Sequence, residues 1–129
     1  DYFAHWQSLN KQGAELPKVF HVNWFRKNEA GTFMWPGFGD NMRVLEWMLK
    51  RVQGEVAGEE TAIGILPRAG ELNTDGLNMT ADELPALLHL DTHAWRTEGG
   101  ASADDLEEFG ERTPPALFAE LDKTAQRLA

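Results

Sequence analysis

Pro36 and Gly37 sit in the most aromatic stretch of this chain, and no regular element can run through them. Proline offers no N–H to a ladder or helix, and the glycine after it frees the backbone to turn. Residues Phe25 to Asn41, FRKNEAGTFMWPGFGDN, must therefore fold as two arms about a bend. Ahead of the bend, VFHVNWF is a β-branched and aromatic run that reads as a buried strand. Asn28 to Gly31 forms a turn, and Thr32 to Trp35 returns as a second short strand, antiparallel to the first. Behind the bend, Asp40 or Asn41 caps a helix from Met42 to Val52. Val44, Leu45, Met48 and Val52 make its apolar face.

The rest of the chain reads as helices and loops. Residues 1–10, DYFAHWQSLN, form a short amphipathic helix carrying Phe3 and Trp6, stopped by Lys11-Gln12-Gly13. Gly54 to Glu60 is a polar loop, Thr61 to Pro67 a short apolar extended segment, and Arg68 to Met79 a loop. Thr80-x-x-Glu83 is a capping-box pattern that Pro85 disturbs, so a short or shifted helix should end near Leu90. Asp91 caps another helix around Trp95, weakened at Gly99-Gly100 and restarted at Ser102-x-x-Asp105. Thr113-Pro114 caps a last helix, Pro115 to Leu128, with Leu117, Phe118, Leu121, Ala125 and Leu128 inward. The expected class is α+β, mostly helical, with a short hairpin in the first third. The whole of 1–129 reads as a single piece.

Charge narrows the partners. The net charge of −9 is unevenly spread: residues 1–52 carry seven Lys/Arg against five acids, and residues 53–129 carry five against 16. An acidic half of this kind argues against a nucleic-acid polymer, whose phosphates need basic surface. The slightly basic first half can still sit beside one polyphosphate. The acids otherwise read as a solvated helical surface. No apolar run approaches the ~20 residues of a membrane helix, so no membrane partner is expected. The chain has no cysteine, which excludes disulfides and thiolate metal sites and fits a cytoplasmic origin. It opens Asp-Tyr-Phe without a signal-peptide pattern and reads as an excised or processed piece.

Seven of the 13 aromatic residues lie between Phe20 and Trp47. Core filling is the plain reading of each. Their arrangement points further. Phe33 and Trp35 share one strand face by alternation, and Phe38 stands between two glycines in a turn where little could bury it. Aromatic rings held on turns and strand ends suit stacking on a planar base, worth roughly 1–3 kcal/mol per base. Stacking does not select a base; an edge reader does. Asn41 offers an acceptor oxygen and an NH₂ donor, which with turn backbone can match guanine. The plain reading of Asn41 is a helix N-cap. PGFGDN is not a phosphate loop, since it lacks the G-x-x-x-x-G-K-[ST] spacing. His89 and His93 stand at i,i+4 with Asp91 between, but no third ligand has suitable spacing, and no metal site is assigned.

HVNWFRKN followed by TFMWPGFGDNMRVLEWM closely resembles the C-terminal part of GTP-dependent phosphoenolpyruvate carboxykinase. The likeness is strongest from Leu16 to Met48 and continues, weaker, from Tyr2 to Leu128. Further landmarks are Tyr2-x-x-His5-Trp6, Leu16-Pro-Lys, Ile63-Gly-x-Leu-Pro67 and Asp91-x-x-x-Trp95. The resemblance implies that residues 16–52 carry a guanine pocket within a larger nucleotide-binding domain. It implies that Phe25, Phe33 and Phe38 wall the base, that Asn41 reads its edge, and that Trp35, Pro36, Gly37, Gly39 and Asp40 supply turn backbone. Departures lie at Asp40, where glutamate is common, at Met42, where a small residue is common, and at Gly99-Gly100.

The family's reaction, in gluconeogenesis, converts oxaloacetate and GTP to phosphoenolpyruvate, CO₂ and GDP with Mn²⁺ or Mg²⁺. No phosphate loop, Lys/His/Asp metal site or substrate arginine cluster is found in these residues. The expectation is a C-terminal piece that binds GTP or GDP, packs against the remainder of its parent enzyme, and is inactive and prone to self-association alone. A rival reading makes the aromatic turn a non-enzymatic groove for a peptide or partner domain. A third leaves every ring in the core of a helical scaffold.

Overall fold

A computed structural model of the chain describes residues 2–10, 13 and 15–129. They divide into two compact units, residues 18–89 and residues 1–17 with 90–129. The α+β, mostly helical class holds. Among the described residues, no helix is long and apolar enough to cross a membrane.

The helix expected after the bend spans Asn41–Gln53 (α1) and anchors residues 18–89. Neither Asp40 nor Asn41 caps it with a side chain. The Asp40 carboxylate instead pairs with Arg43 at 3.0 Å, and the Asn41 carboxamide is taken by Trp35, as described below. The deepest residue of α1 is Trp47, 4% exposed, flanked by half-buried Val44 and Met48. Leu45 and Val52, expected to face inward, are exposed with Met42 and Leu49. The helix thus has apolar residues on two sides, and one of them faces outward.

Trp47 is held by one carboxylate. Its Nε1 donates to Glu71 Oε2 at 3.0 Å, the Arg68 amide donates to the same oxygen at 3.1 Å, and the Gly58 amide donates to Oε1 at 3.2 Å. Phe20 meets the Trp47 ring edge-on at 6.2 Å, and Leu72 is buried nearby in sequence to Glu71. Arg43 ties the following loop back to α1, donating to the Asn73 and Asp75 carbonyl oxygens at 2.9 Å each.

The paired strands are Glu59–Thr61 (β1) and Gly64–Leu66 (β2), antiparallel in the register Glu59 with Leu66, Glu60 with Ile65 and Thr61 with Gly64. This ladder lies where a polar loop and one extended segment were expected. The earlier hairpin is reduced to a single antiparallel bridge between Lys27 and Phe33. Residues 17–23 form no ladder, and Val19 is 91% exposed. β-branched composition favours a strand only where a neighbour supplies hydrogen bonds and packing.

Helix α2, Glu83–Leu88, is short and begins where Pro85 allows. Proline falls in its first turn, where the missing N–H would have no helical partner anyway. Glu83 accepts from the Thr80 amide at 2.6 Å, the returning half of the capping box. The Arg26 guanidinium donates to the Leu87 and His89 carbonyl oxygens at the helix's other end. His89 closes α2, and His93 belongs to the next helix, so their spacing does not put them on one helical face.

In the other unit, α3 spans Tyr2–Ser8, α4 Thr92–Glu107 and α5 Pro115–Arg127. The expected stop of α3 at Lys11-Gln12 lies outside the described residues. Phe3 meets Phe109 edge-on at 5.5 Å, while Trp6 is exposed. Asp91 caps α4 by accepting from the Ala94 amide at 3.0 Å. The helix then passes through Gly99-Gly100 without a break, and Ser102 restarts nothing. Packing of α4 on α5 outweighs a helical cost of about 1 kcal/mol per glycine. Thr113 does not cap α5; it is buried and donates from Oγ1 to the Leu106 carbonyl at 2.7 Å. Leu128 is buried, Leu117, Phe118 and Leu121 are half-buried, and Ala125 is exposed rather than inward.

Two outcomes follow. Gly58 is buried with φ +67°, and an added Cβ would overlap Ile65 Cγ2 and lie 2.9 Å from the Leu66 carbonyl oxygen. Gly58→Ala should cost about 1–3 kcal/mol, read as a lower urea midpoint. The Glu71 carboxyl is held below its ordinary value of 4.5, first by the Trp47 indole and then by the Arg68 and Gly58 amides, with burial opposing them. Its contribution is complete above the unfolded value and is lost as pH falls through the lower folded one. Protection of the Gly58 and Arg68 amides from hydrogen exchange should persist at the ordinary carboxyl value of 4.5 and fall away only at lower pH. Glu71→Gln should weaken it severalfold at neutral pH and abolish the transition.

Candidate nucleotide-binding site

The aromatic segment doubles back on itself through local hydrogen bonds. Asn23 Oδ1 accepts from the Phe25 amide at 2.9 Å and sets the first bend. Asn28 organises the second. Its carbonyl accepts from Gly31, its side chain accepts from the Thr32 amide, and its own amide donates to the Thr32 carbonyl, all between 2.9 and 3.0 Å. Asparagine suits this position because its short side chain mimics a backbone turn. The Met34 amide then donates to the Arg26 carbonyl at 2.9 Å. The fold-back brings Phe25 and Phe33 together, ring centroids 6.0 Å apart and inclined at 63°. Lys27 Nζ lies 5.0 Å from the Phe33 centroid, a weak cation–π contact.

The next residue inward is Trp35, 7% exposed, with Trp24 tilted against it at 6.1 Å. Pro36 ends the arm. Gly37 follows at φ 146° and ψ −177°, a region open essentially to glycine alone. That backbone setting throws Phe38 outward, where it is 91% exposed. Phe38 to Asp40 makes one turn of 3₁₀ helix and delivers Asn41 as the first residue of α1. The Trp35 Nε1–H donates to Asn41 Oδ1 at 2.8 Å.

These residues enclose an open cleft of about 580 Å³. Phe25, Phe33, Trp35, Pro36, Gly37, Phe38 and Asn41 all line it, as do Trp24 and Thr32. Gly39 and Asp40 do not line it; Asp40 faces Arg43. The three phenylalanines expected as walls are thus gathered round one space, and all three are exposed, at 72%, 53% and 91%. Trp35 is different. It is the buried floor, and it contributes a side chain rather than turn backbone alone. Trp24 and Thr32 were not anticipated. Each is the chain neighbour of an expected wall, and that adjacency was the available signal.

The cleft's chemistry is narrow. Its lining is mostly apolar, with one carboxamide at its edge and one ammonium nearby. It can sandwich a flat apolar face and make directed hydrogen bonds at one rim. It holds no nucleophile or acid–base pair. Among the described residues, no group of three His, Asp or Glu could hold a metal ion, so no step through a metal is derived for this chain.

The family model for the phosphoenolpyruvate carboxykinase C-terminal P-loop domain matches residues 1–127. The chain is 44% identical over 128 residues to phosphoenolpyruvate carboxykinase [GTP] of Chlamydia muridarum, covering 98% of this chain and 21% of that protein. It is 42% identical over 130 residues to the protein of that name from Renibacterium salmoninarum, covering 99% and 21%. With that of Treponema pallidum (strain Nichols) it shares 43% over 131 residues, again 99% and 21%. The chain therefore spans about a fifth of the length of these relatives. The family model and these relatives match along nearly the whole length, and the chain belongs to the GTP-dependent phosphoenolpyruvate carboxykinase family, in the C-terminal domain.

Proposed function

We propose that this chain is the guanine-holding part of an enzyme that converts oxaloacetate and GTP to phosphoenolpyruvate, CO₂ and GDP, a cytoplasmic lyase of gluconeogenesis. The observation that carries the reading is the meeting of Phe25, Phe33, Phe38 and Asn41 at one cleft. Three phenylalanines this exposed are unfavourable in water, at roughly 25 cal/mol per Å² of apolar surface. A flat base seated among them would cover that surface and gain stacking. Asn41 would distinguish guanine from adenine at the rim. Lys27, against the Phe33 ring, would favour an anionic ligand over a neutral one.

The reaction itself belongs to parts of the enzyme outside these residues. Phosphoryl transfer depends on cations and metal ions placed round the moving phosphate, and Mn²⁺ or Mg²⁺ ligands are assigned elsewhere in the parent. The outward stripe of α1, Met42, Leu45, Leu49 and Val52, recurs at helical spacing. Apolar surface of that kind supports the reading that the remainder of the enzyme packs here.

Asn41→Ala in the full-length enzyme should reduce the GTP-over-ATP preference in kcat/KM by about 5- to 150-fold, the equivalent of ~1–3 kcal/mol for unpaired hydrogen-bonding groups. No change in preference would favour the reading of the cleft as a groove for a peptide or partner domain. The 129-residue chain alone should bind GTP in the millimolar range or more weakly by calorimetry. Tight, metal-dependent binding would overturn the assignment of the phosphate contacts to the rest of the enzyme.

A further inference from the structure

We propose that Trp35 is a positioning residue that sets base preference by locking the orientation of the Asn41 carboxamide. The inference rests on the guanine reading and adds a residue and a direction to it. An indole N–H is a donor only, whereas a carboxamide is a donor at one end and an acceptor at the other. The 2.8 Å bond from Trp35 Nε1 to Asn41 Oδ1 therefore admits one amide orientation. Rotating the amide by half a turn would set NH₂ against N–H and leave a nearly buried indole donor unpaired, a population cost on the order of tenfold or more.

The helix does not compete for this group. The first turn of α1 takes no side-chain cap, and the Asn41 amide donates to the Phe38 carbonyl instead. With Oδ1 held on the indole, the NH₂ is the donor that Asn41 can offer a ligand. The spacing that permits this is built into the bend. Trp35 and Asn41 are six residues apart, and the Pro36 to Asp40 turn returns one beneath the other.

A fixed donor at the rim selects a base with an acceptor at the facing position. Among purines, a 6-oxo group accepts there and a 6-amino group does not, while N7 accepts in both. Trp35 thus makes the cleft prefer 6-oxopurines, guanine and hypoxanthine alike, and this contact is blind to the 2-amino group. Without the indole N–H, the carboxamide turns freely and offers either end.

The test compares kcat/KM for GTP, ITP and ATP in the full-length enzyme. Trp35→Phe should lower the GTP/ATP and ITP/ATP ratios together, on the order of tenfold, and leave GTP/ITP unchanged. Because the smaller ring also disturbs packing, a benzothienylalanine placed at position 35 keeps the bicyclic shape without the N–H. The same loss of preference in that variant is expected; wild-type ratios there would overturn the proposal. Asn41→Asp should keep one oxygen on Trp35 and turn the other to the cleft, shifting preference toward ATP. If Asn41→Ala erodes the GTP/ATP ratio but both Trp35 variants do not, the positioning role alone fails. If neither position affects the ratio, the guanine reading fails with it.

Discussion

Three N–H groups from separate stretches of chain converge on the Glu71 carboxylate: the Trp47 indole, the Gly58 amide and the Arg68 amide. Each would lose its partner if that carboxylate moved, and unpaired polar groups are costly where water is partly excluded. The convergence fastens helix α1 to the strand pair and to the loop behind it. Arg43 adds a second fastening at the helix start, on Asn73 and Asp75. The cleft depends on both, because Asn41 reaches it only as the first residue of a helix whose position is set further along.

The same helix start shows how a local rule yields to a tertiary contact. Aspartate and asparagine before an apolar helix would ordinarily cap it. Here Arg43 draws away the Asp40 carboxylate, and the Trp35 indole draws away the Asn41 carboxamide. The helix forgoes a side-chain cap, and the released carboxamide is placed at the rim of an apolar cleft. A departure of this kind, where a local preference is overridden at the edge of a cleft, is where function is expected.

The legible parts of the fold were those governed by a few adjacent residues. Pro36-Gly37 announced a bend, Asn28 to Gly31 a turn, Pro85 a short helix and Asp91 a cap, and each is present because its cause lies within one or two turns of chain. The parts that were not legible depend on distant partners. The paired strands lie at Glu59–Thr61 and Gly64–Leu66 rather than along Val19 to Phe25, because strand pairing is decided by what lies alongside. Helix α4 survives two glycines because α5 packs on it.

At the site the division is similar. The amino-acid sequence alone determined which rings and which carboxamide belong together, because a single bend within 17 residues confines them to one neighbourhood. It also determined the family, since that wording is dense and continuous along the chain. Only the tertiary structure decided that Trp35 turns inward while Phe25, Phe33 and Phe38 turn outward, and that the acceptor end of Asn41 is turned to the indole. Burial and hydrogen-bond direction are properties of the assembled surface, and alternation along a segment paired only at the Lys27–Phe33 bridge cannot foretell them.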